Sequence, residues 1–101
     1  MTFDWDPNKE AANRQNHNVS FGEAALVFED FYALEEYDDA HSAVSEKRYT
    51  IVGLAENRIL YVVYTMRGAD EAVCRIISAR EAENDEREIY EELRIRDSFY
   101  E

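Results

Sequence analysis

Two apolar runs on either side of a short polar turn constrain this chain more than any other feature. Ile59-Leu60-Tyr61-Val62-Val63-Tyr64 and Val73-Cys74-Arg75-Ile76-Ile77-Ser78-Ala79-Arg80 flank Arg67-Gly68-Ala69-Asp70-Glu71. β-Branched and aromatic residues favour a pleated, half-buried surface, and glycine beside acidic residues favours a turn, so the runs read as strands Arg58 to Met66 and Val73 to Arg80. Another β-rich stretch, Arg48 to Leu54, precedes them across the turn Ala55-Glu56-Asn57. Consecutive strands with short turns predict an antiparallel meander. A chain of 101 residues makes one domain, residues 1–101, burying about 60–70 % of its unfolded surface without staples.

The flanking segments are helical. Phe3-Asp4-Trp5 reads as a short strand, and Asp6-Pro7 as a cap and first helical residue opening a helix to about Asn16. With only Ala11 and Ala12 to bury, that helix belongs on the surface. Ser20 and Glu23 have the spacing of a capping box, opening a second helix with a core stripe of Phe21, Ala24, Ala25 and Phe28. Phe31 to Glu36 has strand character, and Asp38 to Ser42 that of a loop. A charged helix runs from Asn84 to about Arg96, with Ile89 and Leu93, joined by Tyr90 and Arg96, expected to face inward. The fold class is α+β, an antiparallel sheet flanked by N-terminal helices and a C-terminal helix.

Eleven basic against 23 acidic residues leave a net charge of −12. That disfavours loose nucleic-acid binding, which depends on lysine and arginine neutralising phosphates. A local phosphate site remains compatible, because charges more than about 8 Å apart are largely screened at physiological salt. One segment runs against the background: Lys47 to Arg80 holds six basic and three acidic residues, a local charge of +3. Its Arg48, Arg67, Arg75 and Arg80 lie in adjacent strands or at their ends, so folding gathers some of them. They either bind an anion or pair with the acidic C-terminal helix.

Other chemistry is sparse. Cys74 is single, which excludes an internal disulfide, and its strand position makes it a small buried apolar residue. Neither His17 nor His41 has a histidine or cysteine at ligand spacing, and no calcium-loop pattern occurs, so no metal site is expected. His17 closes the first helix and shares a face with Lys9 and Asn13. It is either a surface histidine at a helix C-terminus or, its charged form being favoured there, a general acid or phosphate contact. Tyr61, Tyr64 and Trp5 fit base stacking or ordinary packing. The N-terminus has neither the basic nor the apolar region of a secretion signal, and no run approaches the roughly 20 apolar residues of a membrane span. The chain reads as cytoplasmic.

Several of these residues form a pattern. Phe3-x-Trp5-Asp6-x-x-Lys9 and Asn13-x-x-x-His17-x-Val19-Ser20-Phe21-x-Glu23-Ala24 resemble the opening of the BrnT family of toxins. His41-Ser42 ahead of Glu46-x-Arg48, then Gly53, then Val62-Val63-Tyr64-Thr65-x-Arg67 continue the likeness, and Arg75-Ile76-Ile77-Ser78-Ala79-Arg80-x-Ala82 with Glu86-Arg87-x-x-Tyr90 completes it. The resemblance implies a RelE-like fold and a ribonuclease toxin of a type II toxin–antitoxin system, cutting RNA, on the ribosome or free, without metal or other cofactor. It also implies a BrnA-like ribbon-helix-helix antitoxin that neutralises the toxin, with DNA contacted only through that partner. Mapped by motif, His17 takes proton transfer, Arg48 and Arg80 the phosphate, and Lys9, Arg67 and Arg75 further substrate contacts. The alternative is a toxin-like binding module that serves only as antitoxin partner and co-repressor. That role needs an exposed apolar patch, which self-association into a homodimer would cover.

Overall fold

The structure, a computed structural model, describes the backbone of residues 1–100 and the side chains of residues 1–96. Five strands form one sheet in the order β1-β5-β4-β3-β2: β1 (Thr2–Asp4), β2 (Leu34–Tyr37), β3 (Arg48–Ala55), β4 (Arg58–Arg67) and β5 (Val73–Glu81). The meander β2 to β5 is antiparallel as expected. Strand β1 is the exception, pairing parallel with β5 through Thr2–Val73, Phe3–Cys74 and Asp4–Arg75. The α+β class therefore holds, with a mixed sheet rather than a wholly antiparallel one.

The two faces of the sheet have different fates. One carries Ile51, Ala55, Leu60, Val62, Tyr64, Cys74, Ile76 and Ala79 against α2 (Phe21–Ala25) and the 3₁₀ turn Leu26–Glu29 that continues it, and this is the main core. Phe21, Ala24 and Val27 are fully buried there, and Phe28 packs edge-on to Tyr64 at 4.9 Å. Burial chiefly pushes the Cys74 thiol up to about 12, so it is an inert core residue. Gly53 allows the turn to come this close. A Cβ there would lie 2.8 Å from Val27 Cγ1 and 3.0 Å from Ala33 Cβ.

Helix α1 (Pro7–His17) lies along the outer edge of β5, held by one polar residue. Strand β1 pairs only as far as Arg75. Beyond it the Asn13 amide takes over, accepting from Ala79 N–H at 3.0 Å and donating to Ala79 C=O at 2.8 Å and Val19 C=O at 2.9 Å. A carboxamide reproduces the donor and acceptor of a backbone peptide, so Asn13 completes the ladder as a further strand residue would. Asn18, at φ 57°, ends the helix in a left-handed cap.

The second face is covered only at one end, by α3 (Asn84–Tyr100). The inward side chain is Tyr90, fully buried against Val52, Ala82, Leu34, Leu54, Ile59 and Tyr61. Ile89 and Leu93, expected to face inward, are instead 56 % and 37 % exposed, and Arg96 is exposed too. Among the described side chains of α3, the one that goes fully down is the one whose hydroxyl finds an acceptor. That acceptor is Asp30 Oδ2, which also takes the Leu54 N–H at 2.8 Å, while Oδ1 takes the Tyr32 N–H at 3.0 Å.

Substituting Gly53→Ala should destabilise the fold by about 1–3 kcal/mol, the usual penalty of overpacking, read as a lower midpoint in urea unfolding at unchanged slope.

Candidate nucleic-acid interface

Pairing register decides which side chains share the uncovered end of the second face. Arg48 lies opposite Thr65, and Thr65 opposite Arg75, whose neighbour on β1 is Asp4. The next row is Glu36, Thr50, Val63 and Ser78, and the one beyond it Leu34, Val52, Tyr61 and Arg80. Arg67 follows two residues after Thr65 on the same side. All four expected arginines thus stand on one face.

A β-bulge makes this possible. Arg75 and Arg80 are five residues apart, an odd spacing that puts two side chains on opposite faces of a regular strand. Val63 pairs with Ser78 but Tyr64 with Ile76, so Ile77 is an extra residue and the alternation reverses across it. Cys74 and Ile76 before the bulge and Ala79 after it all reach the main core, and Arg75 and Arg80 both reach the open face.

Each arginine already holds a carboxylate. Arg80 is bound in bidentate fashion to Glu86 of α3, at 2.8 and 2.9 Å, and donates to Glu81 C=O at 3.1 Å, with its guanidinium 4.2 Å from the Tyr61 ring centroid. Arg48 Nε and Arg67 Nη2 share Glu46 at 2.9 and 3.3 Å. Arg75 Nη1 reaches Asp4 Oδ2 at 3.5 Å, a loose contact beside an Oδ1 that is buried without a partner. Donors remain: each of Arg48, Arg67 and Arg75 uses one guanidinium nitrogen in these contacts, whereas Arg80 uses two and stacks as well. The +3 of the segment is offset on this face by Asp4, Glu36, Glu46 and Glu86, all from outside it.

Electrostatics follow from these pairs. The Arg80 hydrogen bonds hold the Glu86 carboxyl below its ordinary value of 4.5 against the opposing effect of burial, and the Glu83 N–H helps. Burial, with the carboxylates of Glu86 and Asp38, pushes the Tyr61 hydroxyl up against the effects of Thr50 and Arg80. Tyr61, Thr50, Val52, Leu34, Glu36, Glu86 and Ile89 line a cleft of about 260 Å³ between α3 and the sheet. At the far end, Val44, Glu46, Lys47, Thr65 and Arg67 surround a hollow of about 700 Å³.

His17 does not join the arginines in one site. Asn13 docks on Ala79, and Asn18 C=O accepts from Arg58 Nη2 at 2.7 Å, so α1 descends beside β5 and delivers His17 toward the β3–β4 turn. Arg48, Arg67 and Arg75 stand at the opposite strand ends, roughly 20 Å away at ~3.3 Å per residue. His17 is exposed and without a hydrogen bond or ion pair among the described residues; Lys9 is exposed on the same helix. Arg58 has a structural role, joining Glu23 of α2 at 2.7 Å, Glu81 at 3.3 Å and Asn18. Its partner Glu23 chiefly raises its pKa. Ser20 caps Glu23 N–H at 3.0 Å, while the Glu23 carboxylate turns to Arg58, leaving half of the expected capping box. No three metal-ligating side chains gather among the described residues, and no helix there is long and apolar enough to cross a membrane.

A single sheet with helices on one face and an open, arginine-lined half on the other defines a small α+β domain built to present that half. Residues 5–86 match the model of the family described as the ribonuclease toxin, BrnT, of type II toxin–antitoxin systems, and the chain belongs to that family. The fold is similar to the 1.1 Å crystal structure of the Brucella abortus ribonuclease toxin BrnT, with a TM-score of 0.61 at 24 % identity over 83 % of this chain and 99 % of that one. No curated protein sequence matches the chain.

Glu86→Gln should lower stability at neutral pH by about 1.5–3 kcal/mol, the usual worth of hydrogen bonds to a charged partner. Because the folded-state pKa of Glu86 is depressed, the parent holds this stability above the ordinary carboxyl value of 4.5 and loses it as pH falls through the lower folded value. Unfolding curves of parent and variant should therefore converge as pH falls below the ordinary carboxyl value of 4.5.

Proposed function

We propose that this chain is a ribonuclease toxin whose open arginine face carries the RNA backbone. The observation that carries the reading is the family match across residues 5–86 on a fold that sets four arginines on one half-covered sheet face. In the proposed reaction a ribose 2′-hydroxyl attacks the adjacent phosphate, and guanidinium groups stabilise the charge that develops there, with no metal taking part. Arg48, Arg67 and Arg75 supply the phosphate contacts through their remaining donors. Arg80 anchors α3 and presents the flat face of Tyr61. A phosphate that enters must compete with Glu46 and Asp4 for these groups, which favours weak ground-state binding.

Induced expression in a bacterium, followed by growth and total-RNA integrity, tests this. Growth arrest with RNA cleavage is expected of the parent. Loss of both is expected of the Arg48→Ala, Arg67→Ala, Arg75→Ala triple variant at equal soluble expression, since one electrostatic donor typically contributes about 10²–10³ in rate.

The carboxylate on every arginine favours a second reading, a toxin-like partner that binds without cutting. Normal growth and intact RNA from soluble, folded parent would support it. Under either reading the family implies an antitoxin, which we propose to be a ribbon-helix-helix protein. The acidic run Glu29 to Asp39 and the carboxylates of α3 suit a basic segment of that partner. Affinity of the complex should then fall measurably between 0.1 and 0.5 M salt, a range over which the Debye length shrinks from about 10 to about 4 Å; salt-insensitive binding would exclude the charge-based contact.

A further inference from the structure

The arginine face has an imidazole of its own, and it is not the one on α1. Asp38 N–H donates to Arg48 C=O at 2.9 Å, continuing the β2–β3 pairing one step past Tyr37–Tyr49. Tyr37 meets Tyr49 edge-on on the core side, so the alternation returns Asp38 to the open face beside Arg48. The Asp38 carboxylate then reaches forward to His41. Oδ1 accepts the His41 N–H at 3.3 Å, and Oδ2 lies 2.9 Å from Nδ1 of the ring. The carboxylate is largely covered, with its side chain 18 % exposed, whereas the imidazole is 71 % exposed. A carboxylate beside Nδ1 accepts a hydrogen bond from Nδ1–H and leaves Nε2 as the acceptor in the neutral ring, the arrangement by which histidine bases are oriented.

The loop between His41 and Arg48 is closed by further bonds. Ser42 Oγ donates to Asp38 C=O at 2.6 Å and accepts the Arg48 N–H at 2.9 Å. Ala43 and Glu46 exchange backbone bonds of 2.8 and 3.1 Å, and the Glu46 side chain holds Arg48 and Arg67. His41, Arg48 and the carboxylate that holds Arg67 therefore belong to one closed loop.

We propose that His41, oriented through Nδ1 by Asp38, is the proton acceptor for RNA cleavage on the arginine face, a role that rests on the ribonuclease reading above. Nε2 takes the proton of the 2′-hydroxyl as the 2′-oxygen bonds to phosphorus. The bond from phosphorus to the 5′-oxygen breaks, leaving a 2′,3′-cyclic phosphate, and the departing 5′-oxygen takes a proton from water. The hydroxide left by that water takes the proton back from Nε2, so the imidazole returns to its neutral form and no cofactor or oxidant is consumed.

The test is single-turnover cleavage of a labelled, random-sequence oligoribonucleotide pool by the full chain. It compares the parent with His41→Ala, His41→Gln, His17→Ala and the triple arginine variant. Glutamine can still donate to Asp38 and keep the loop closed, but it has no basic nitrogen. The expected result is a saturating rate about 10²–10⁴ lower in both His41 variants, with half-saturating concentration and thermal midpoint held. Both should fall at least about 100-fold below His17→Ala. A parent that cleaves, with His41→Gln within about threefold of it, overturns the His41 assignment. Loss in the triple variant then leaves the ribonuclease reading standing. A folded parent that cleaves nothing overturns both.

Discussion

One carboxylate, that of Asp30, fixes where the C-terminal helix lies and so how much of the sheet stays open. It accepts the backbone N–H groups of Tyr32 and Leu54 and the hydroxyl of Tyr90. Burial pushes its carboxyl up, but the bonds from Tyr90, Leu54 and Tyr32 more than offset this and leave it below the ordinary value. Leu54 lies beyond the last β2 partner, Leu34 opposite Val52. Without Asp30 the Leu54 N–H would face the end of the sheet unpaired, and the Tyr90 hydroxyl would be buried without an acceptor, a penalty of about 1–3 kcal/mol for each group. The same residue thus closes a strand edge and seats α3.

The opposite edge is finished in the same manner. Strand β1 has three residues and β2 four, both shorter than the strands they flank. Where β1 stops, Asn13 supplies the hydrogen bonds that a longer strand would have made to Ala79. Short edge strands with side chains completing the ladder leave little free backbone for a stray strand. They also set the two outer layers of the molecule. Asn13 holds α1 on β5, Asp30 holds α3 over the lower half of the second face, and the upper half is left to the arginines.

Much of this fold was legible in the chain. The β-branched and aromatic runs placed β3, β4 and β5, the Asp6-Pro7 and Ser20 signals started α1 and α2, and the turn at Gly68 ended β4. Three features were hidden because they depend on partners distant in sequence. Strand β1 meets β5 across some seventy residues, and no local signal marks the pairing as parallel. Asn13 looks like a surface residue until Ala79 is beside it. In α3 the expected inward set of Ile89, Leu93, Tyr90 and Arg96 narrows to Tyr90, because burial there is decided by a hydroxyl acceptor at Asp30. The arginines were found from charge alone, and Glu86 of the C-terminal helix does pair with Arg80, as the acidic-helix reading expected. Glu46 and Asp4 came from elsewhere. His17 drew attention through its helix position, while His41 gives no sign of its orientation until Asp38 is seen three residues before it on the sheet edge.

The bulge at Ile77 ties the arginine face to the length of one short segment. Between Arg75 and Arg80 the strand must change sides once, and it does so by spending a residue on no partner. Any substitution that leaves the count unaltered leaves both guanidinium groups where they are. Loss of that extra residue would leave an even spacing, which a regular strand places on one face without a bulge, so the face survives only where the residue count and the bulge match. The spacing within Arg75-Ile76-Ile77-Ser78-Ala79-Arg80 is therefore a measured distance as much as a set of side chains. Related chains that keep this face should carry either an odd spacing with a bulge or an even spacing without one.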